Sequence, residues 1–223
     1  MKFAGSQARL VVFFGPDGAG KTTQAQLLAS YFINRGYVVK RVWIKANHSL
    51  AALLSKIFVQ FGYSKTVFSP VGDSYKVFDI RYLPKLKKFW SLLEFVSVLP
   101  WILLKVKFPL LLGHVVIADR YLVDTIVTIA YSLRDTTFLS GFIANVLLRM
   151  IPQDAFLIHL DANATDILTR RKVEMIEKDF VEFQKKLYSS FAFSLGALSI
   201  STSEKRIRDT FNAIVKNISE RSK

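Results

Sequence analysis

Cysteine is absent from the chain, which excludes disulfides, thiolate zinc sites and cysteine nucleophiles and leaves nothing pointing to an oxidising compartment. Internal repeats, low-complexity tracts and Gly/Ser-rich linkers are missing too. The 223 residues therefore read as one domain, long enough to bury a substantial core. A secretory leader is not expected: Lys2 could open one, but the apolar run Leu10 to Phe14 is short and leads straight into a glycine-rich loop. The expected location is cytoplasmic.

Acidic residues are scarce. Against 31 Lys and Arg there are 17 Asp and Glu, a formal charge of +14, which raises the local concentration of polyanions. The cations are spread over Arg81/Lys85/Lys87/Lys88, Arg170/Arg171/Lys172, Lys185/Lys186 and Lys205/Arg206/Arg208. One anion-binding cleft on a basic surface is the favoured reading. Nucleic acid is not expected as a partner, and a peripheral membrane contact takes second place. The most apolar stretch, Phe89 to Gly113, is interrupted by Glu94, Pro100, Lys105, Lys107 and Pro109. Its longest uncharged run, Phe95 to Leu104, is too short to span a bilayer. A buried or dimer-forming helix, broken near Pro100, is expected instead.

What is present is a series of short apolar runs separated by helical patterns. Leu10 to Phe14, Val38 to Trp43, Val115 to Ala118, Ala155 to Leu160 and Leu198 to Ile200 read as strands. A helix is expected from about Thr22 to Arg35-Gly36, with Leu27, Leu28, Tyr31 and Phe32 on one side. A second is expected from about Ser49 to Phe61, followed by a loop over Gly62 to Gly72. Ser201 and Glu204 have the spacing of a capping box opening a last helix. Continuous apolar strands alternating with helices indicate a parallel sheet covered on both faces. The expected class is α/β, a doubly wound, mainly parallel five-stranded sheet flanked by helices on both faces.

The strongest motif is G-x-x-x-x-G-K-T over Gly15, Pro16, Asp17, Gly18, Ala19, Gly20, Lys21 and Thr22, followed by Thr23. It follows an apolar strand and opens an amphipathic helix, the context that a phosphate loop needs. Glycines let backbone N–H groups curl round phosphates without Cβ obstruction, and the helix N-terminus adds partial positive charge. These residues are the expected ATP site, with Lys21 reaching the β- and γ-phosphates and Thr22 holding Mg²⁺. No Asn-Lys-x-Asp occurs to read guanine, and Leu139-Ser140-Gly141-Phe142 lacks the second glycine of a transporter signature. A small single-domain kinase is the economical choice.

Asp119-Arg120-Tyr121 follows the third strand directly, at the end that lines the crevice of an open parallel sheet. Asp119 is expected to serve Mg²⁺ or the attacking oxygen. Arg120 offers the bidentate geometry that an acceptor phosphate requires. Thr169-Arg170-Arg171-Lys172 is placed early in the helix after the fourth strand, where either Arg170 or Arg171 could neutralise charge on a transferred phosphoryl group. Lys45 and His48 follow the second strand and are modest acceptor contacts. His159 reads as a satisfied core histidine, His114 carries no clear signal, and Trp43, Trp90 and Trp101 read as core or subunit contacts.

Together these pieces resemble the thymidylate kinase family of P-loop nucleoside monophosphate kinases. Phe14 to Gln24 is similar to that family's phosphate loop, including the acidic residue and the double threonine. Val115 to Tyr121 is similar to its Asp-Arg-Tyr element, and Asp124-Thr125 and Ala130-Tyr131 are similar to the family's residues just after that element. Leu160-Asp161 through Arg170-Arg171, then Phe180, Phe183 and Tyr188, is similar to its lid and the next helix, and Ser199 to Ile218 is similar to its end.

The resemblance implies a five-stranded parallel sheet, a lid at about 165–182, ATP and Mg²⁺, dTMP as acceptor, and a homodimer. It places Asp17 at the acceptor sugar's 3′-hydroxyl, Arg120 on the acceptor phosphate, Tyr121 beside the acceptor, and Arg170 or Arg171 as the lid arginine. The sequence differs from the family's pattern at Trp43 to His48, along the apolar Phe89 to Leu112, and at Met175 to Lys178 in the lid. The same chemistry on another, amphipathic phosphorylated metabolite is one alternative. A nucleotide-dependent regulatory protein is the other.

Overall fold

The computed structural model of the chain describes residues 9–46, 49–68, 74–80, 83–170, 178–203 and 205–221. Five strands, β1 (Leu10–Phe14), β2 (Val39–Val42), β5 (Val115–Asp119), β6 (Phe156–Asp161) and β7 (Leu198–Ser201), form one sheet in the order β2-β5-β1-β6-β7. Every pairing in it is parallel. The composition of each strand explains its place. LVVFF in β1 and VVIAD in β5 are buried throughout, as strands covered on both faces must be. VKRV in β2 and LSIS in β7 each carry two exposed polar positions and take the two edges.

Side chains of β1 alternate between two cores. Leu10, Val12 and Phe14 pack with Trp90, Ile102, Ile126 and Tyr188, on the side of the helices α3 (Lys87–Ile102), α5 (Leu122–Leu133) and α8 (Lys178–Ser194). Val11 and Phe13 pack with Leu28, Phe32 and Ile214 of α1 (Lys21–Ile33) and α9 (Ile207–Glu220). The expected doubly wound α/β class is therefore the observed one. Most of α5 is buried, nine of its twelve residues, so it is apolar nearly all round rather than striped. Truncating fully buried Ile126 to alanine would cost about 2–5 kcal/mol.

The structure corrects several local expectations. The stretch read as a loop at Gly62 to Gly72 contains β3 (Ser64–Phe68), which pairs antiparallel with β4 (Ser74–Phe78). This hairpin follows α2 (Ser49–Gln60). Helix α3 runs through Pro100 unbroken. The ladder adjusts afterwards, in a π turn over Leu103–Lys107 that leads into α4 (Phe108–Leu111). Proline removes one N–H from the ladder, and a wider turn nearby absorbs the mismatch. The helix from Pro84 to Leu111 is long and apolar enough to cross a membrane by length and composition alone.

The last helix starts at Ile207 after Arg206, with no side-chain cap, and Ser201 belongs to β7. The expected capping box does not open it, and Glu204 lies outside the described residues. Leu27 is exposed, whereas Gln24, Ala25 and Ala29 join Leu28 and Phe32 on the buried face of α1. Trp43 is 45% exposed rather than core, while Trp90 is buried. Two short helices complete the α-helical set: α6 (Phe142–Arg149) and α7 (Ala164–Arg170).

Candidate active site

The site forms where the carboxyl ends of β1 and β5 lie side by side, with Phe13 in register with Asp119. The loop after β1 bends at Gly15, whose φ of +139° is open only to glycine. A Cβ there would sit 2.0 Å from the carbonyl oxygen of Leu160 on β6. Loop and sheet therefore touch through bare backbone. Gly20 precedes α1 at φ 84°, and no side chain caps the helix. The first-turn N–H groups thus keep the unpaired donor capacity common to helix starts.

Lys21 is buried, and its Nζ donates to the carbonyls of Gly15 at 2.7 Å and Pro16 at 2.8 Å. Burial, then the Arg120 charge, lower its pKa to about 8, with Asp124, Asp17 and Asp119 acting in the opposite sense. It is still cationic at neutral pH.

Asp17 gathers the other charges. Arg120 pairs with its carboxylate, Lys21 lies 3.6 Å away and Lys45 3.7 Å away. Three cations, from the start of α1 and from the segments just after β2 and β5, thus meet one acid. Arg120 reaches it from a left-handed backbone, φ 82°, which costs roughly 1–3 kcal/mol in a non-glycine residue. The conformation is held because its N–H donates to Phe13 O at 3.0 Å and its carbonyl accepts from Ile44 N at 3.3 Å. Burial works against the Arg120 charge, but Asp17 and then Asp124 outweigh it and hold the guanidinium protonated.

Behind this layer, fully buried Asp124 accepts from Tyr121 N at 3.3 Å and from the Tyr188 hydroxyl at 3.0 Å. Burial raises its pKa to about 6 against the pull of Lys21 and Arg120. Burial likewise pushes the Tyr188 phenol upward.

Asp119 is buried, and its Oδ1 has no hydrogen-bond partner among the described residues. An orphaned carboxylate oxygen beside a phosphate loop suits a hard cation. Thr22 stands exposed in the first turn of α1. Among the described residues no group of three or more His, Asp or Glu forms a metal cluster. The residues beside the phosphate loop that could contribute oxygen ligands to a divalent cation are Asp119 and Thr22.

Arg170 is the seventh residue of α7, not an early one, and residues 171–177 lie outside the described residues. Its NH1 donates to Thr202 Oγ1 at 3.1 Å and to Gly18 O at 3.3 Å, and its NH2 to Thr202 O at 3.0 Å. It clasps the phosphate loop from the β6–β7 side. Arg171, Lys172, Met175 to Glu177, Asn47 and His48 lie outside the described residues.

Tyr121, read as lying beside an acceptor, is fully buried in the core below Arg120, and its hydroxyl has no hydrogen-bond partner among the described residues. Its phenol is pushed up by burial. His159 is a core residue, with Nδ1 3.2 Å from Ser199 Oγ and burial lowering its pKa to about 4. Its Nε2 has no hydrogen-bond partner among the described residues, so only half of its polar capacity is satisfied.

Sequence reasoning missed two contributors. Gln184 Oε1 accepts from the Asp17 N–H at 3.5 Å, from 167 residues away. Thr202 holds Arg170 from the end of β7. The i, i+4 spacing of Gln184 and Tyr188 puts both on one face of α8, the only sequence signal for Gln184. A cavity of about 610 Å³ lies away from the phosphate loop, lined among others by Lys56, Lys65, Lys76, Phe78, Trp90 and Arg134.

Sheet order, the loop after β1 and the charged crevice at the strand ends define a P-loop NTPase-type doubly wound fold. The chain matches no protein-family model and no curated protein. The functional reading therefore rests on the geometry above and on the motifs.

Proposed function

We propose that the protein is an ATP- and Mg²⁺-dependent phosphotransferase of the nucleoside monophosphate kinase type, with dTMP the favoured acceptor and dTDP the product. The observation that carries this reading is the meeting of Lys21, Lys45 and Arg120 at Asp17. Lys21 belongs to the phosphate loop, whereas Lys45 and Arg120 come from the strand ends beside it. That is the layout required for two phosphate groups facing each other in line.

In the proposed reaction an acceptor phosphate oxygen attacks the γ-phosphorus, the bond to the bridging β–γ oxygen breaks, and ADP leaves. The chain's part is positioning and charge. Lys21 and the first-turn N–H groups of α1 hold the donor phosphates. Arg120 and Lys45 hold the acceptor phosphate, with Asp17 steering them and the acceptor sugar. Arg170 or Arg171 closes on the transferred group. Mg²⁺ held by Thr22 and Asp119 would neutralise charge on the β- and γ-oxygens.

A second reading keeps the chemistry and changes the acceptor to an amphipathic phosphorylated metabolite. The apolar, acid-poor helices that follow β2 favour it. The test is phosphotransfer from ATP/Mg²⁺ to dTMP, dUMP, CMP, UMP, AMP and GMP offered separately, with Arg120→Ala in parallel. ADP and dTDP formation lost in the variant supports the reading. ATP binding without turnover on any of the six overturns it.

A further inference from the structure

The helix from Pro84 to Leu111 has two unlike faces. One is in the core: Trp90, Leu93, Val98, Ile102 and Val106 are buried against the sheet and α5. The other carries Phe89, Leu92, Val96 and Leu103, all about half exposed, then Leu104 at 66%, Phe108 at 57% and Leu111 at 85% exposed. Phe89, Leu92, Val96 and Leu103 are spaced by three, four and seven residues, one stripe of an α-helix. The π turn at Leu103–Lys107 inserts its extra residue where the stripe would otherwise drift, so Phe108 and Leu111 continue it. Single exposed apolar residues need no explanation, but a continuous ridge of this length does.

The charges carried by the helix along the ridge share one sign, and the acid that reaches its border from outside the helix is Asp135, near Lys87. Lys85 and Lys88 at its start and Lys105 near its end are exposed, and Lys87 and Lys107 are half-buried. Lys105 lies 4.1 Å above the Trp101 ring, its head kept beside the apolar stripe. The π turn also packs against the edge strand β2, whose Lys40 and Arg41 are exposed. From Pro84 to Leu112 Glu94 is the sole acid, and it is buried on the opposite face. Helix α2, packed beside α3, has no acid either and exposes Leu50 and Leu53.

We infer that this ridge docks on an anionic lipid surface, lying in the interface with its lysines among the headgroups. Crossing the bilayer would tear the buried half of the helix, 44% of its most apolar window, out of the core. The helix therefore lies on the membrane and does not span it. A second copy of the chain is a poor occupant, because a two-fold pairing would bring like lysine borders together with Asp135 as the one acid recorded against them among the described residues. Anionic headgroups supply the opposing charge and attract each lysine held near the surface. The inference does not depend on the phosphotransfer reading.

The experiment is co-sedimentation of the full chain with phosphatidylcholine vesicles made with and without phosphatidylglycerol, at low and high salt. Binding to the anionic vesicles only, weakened by salt, is expected. Lys85→Glu/Lys88→Glu/Lys105→Glu should lower it at least tenfold, and Leu104→Ser/Leu111→Ser should abolish the part that survives high salt. No sedimentation, or equal sedimentation with neutral vesicles, overturns the proposal. So does a dimer by light scattering that Leu104→Ser/Leu111→Ser converts to monomer, since the ridge would then belong to a second copy. All of these substitutions are on the surface and away from the phosphate loop.

Discussion

Along β1, β5 and β6, the side of the crevice that carries the phosphate loop is built from strands buried almost throughout, and its key contacts are made by backbone. The loop rests on Leu160 through a glycine, Lys21 is held by two carbonyls, and Arg120 is locked by its own N–H and carbonyl. On the side of β2, the wall is made by an edge strand, α2, a hairpin and α3, and it is basic, apolar and partly exposed. A phosphate-binding loop leaves little freedom of composition, because its donors are the chain itself. A wall made of side chains on helices can change its chemistry without touching that loop. The phosphate-loop end of this crevice is therefore generic, and the other end is where this chain becomes particular.

Breaking the phosphate-loop end should have the largest effects. Gly15→Ala places a methyl group 2.0 Å from Leu160 O at a φ of +139°. It is expected to lose about 3 kcal/mol or more in urea unfolding, and a loss under about 1 kcal/mol would show that the close approach does not exist. Lys21→Ala should lower phosphoryl transfer about 10³-fold, the scale of one preorganised cation or donor, with far-UV circular dichroism unchanged.

Arg120→Lys probes the border between the two ends. It keeps the charge and removes the fork, so kcat/KM for the acceptor should fall roughly 10²-fold while KM for ATP stays within a few-fold. Equal losses for both substrates would mean that Arg120 serves the loop rather than the acceptor.

Asp124 sharpens the comparison through pH. Its folded pKa, raised from 3.8 to about 6, means the folded state holds a proton that the unfolded state has already released. This group's contribution to stability is full below pH 4, falls as pH rises from about 4 to about 6, and is level above that. His159, lowered from 6.5 to about 4, acts oppositely across an overlapping window: stability is lost as pH falls through it. The wild-type profile is a sum of both, so the difference between wild type and Asp124→Asn is the quantity to measure. It should change by about 1–3 kcal/mol across that window, in favour of the variant at the higher pH. The smallest effect is expected from half-buried Lys45→Ala, a few-fold rise in acceptor KM alone.

The same division governs what could be read from the sequence. Apolar runs such as Leu10–Phe14 and Val115 to Ala118 announce buried parallel strands because they are short, continuous and separated by helical patterns. Glycine spacing announces the loop. The hairpin was hidden by Gly62 and Gly72, which read as loop punctuation, and by Ser64–Phe68, which opens on three polar residues in a row; Ser74 to Val77 alone alternates polar and apolar residues. Pro100 reads as a helix break, since sequence shows the lost N–H but not the π turn that absorbs it. Gln184 and Thr202 reach the site from across the chain, and such contacts leave no local signature. The left-handed backbone of Arg120 was equally illegible, because the bonds that hold it come from β1 and from Ile44 after β2.

Asp17 has a consequence beyond its contacts. Three positive groups clustered with no anion among them would repel one another and drift apart, so the crevice would have to be reassembled at each encounter. With one carboxylate at their centre they stand ready, much as a tent pole keeps its guy-lines taut before any load is applied. An arriving phosphate competes with that carboxylate for the same partners. Under the proposed reaction that competition would cost some grip on the phosphate while sparing the crevice its reassembly at each encounter.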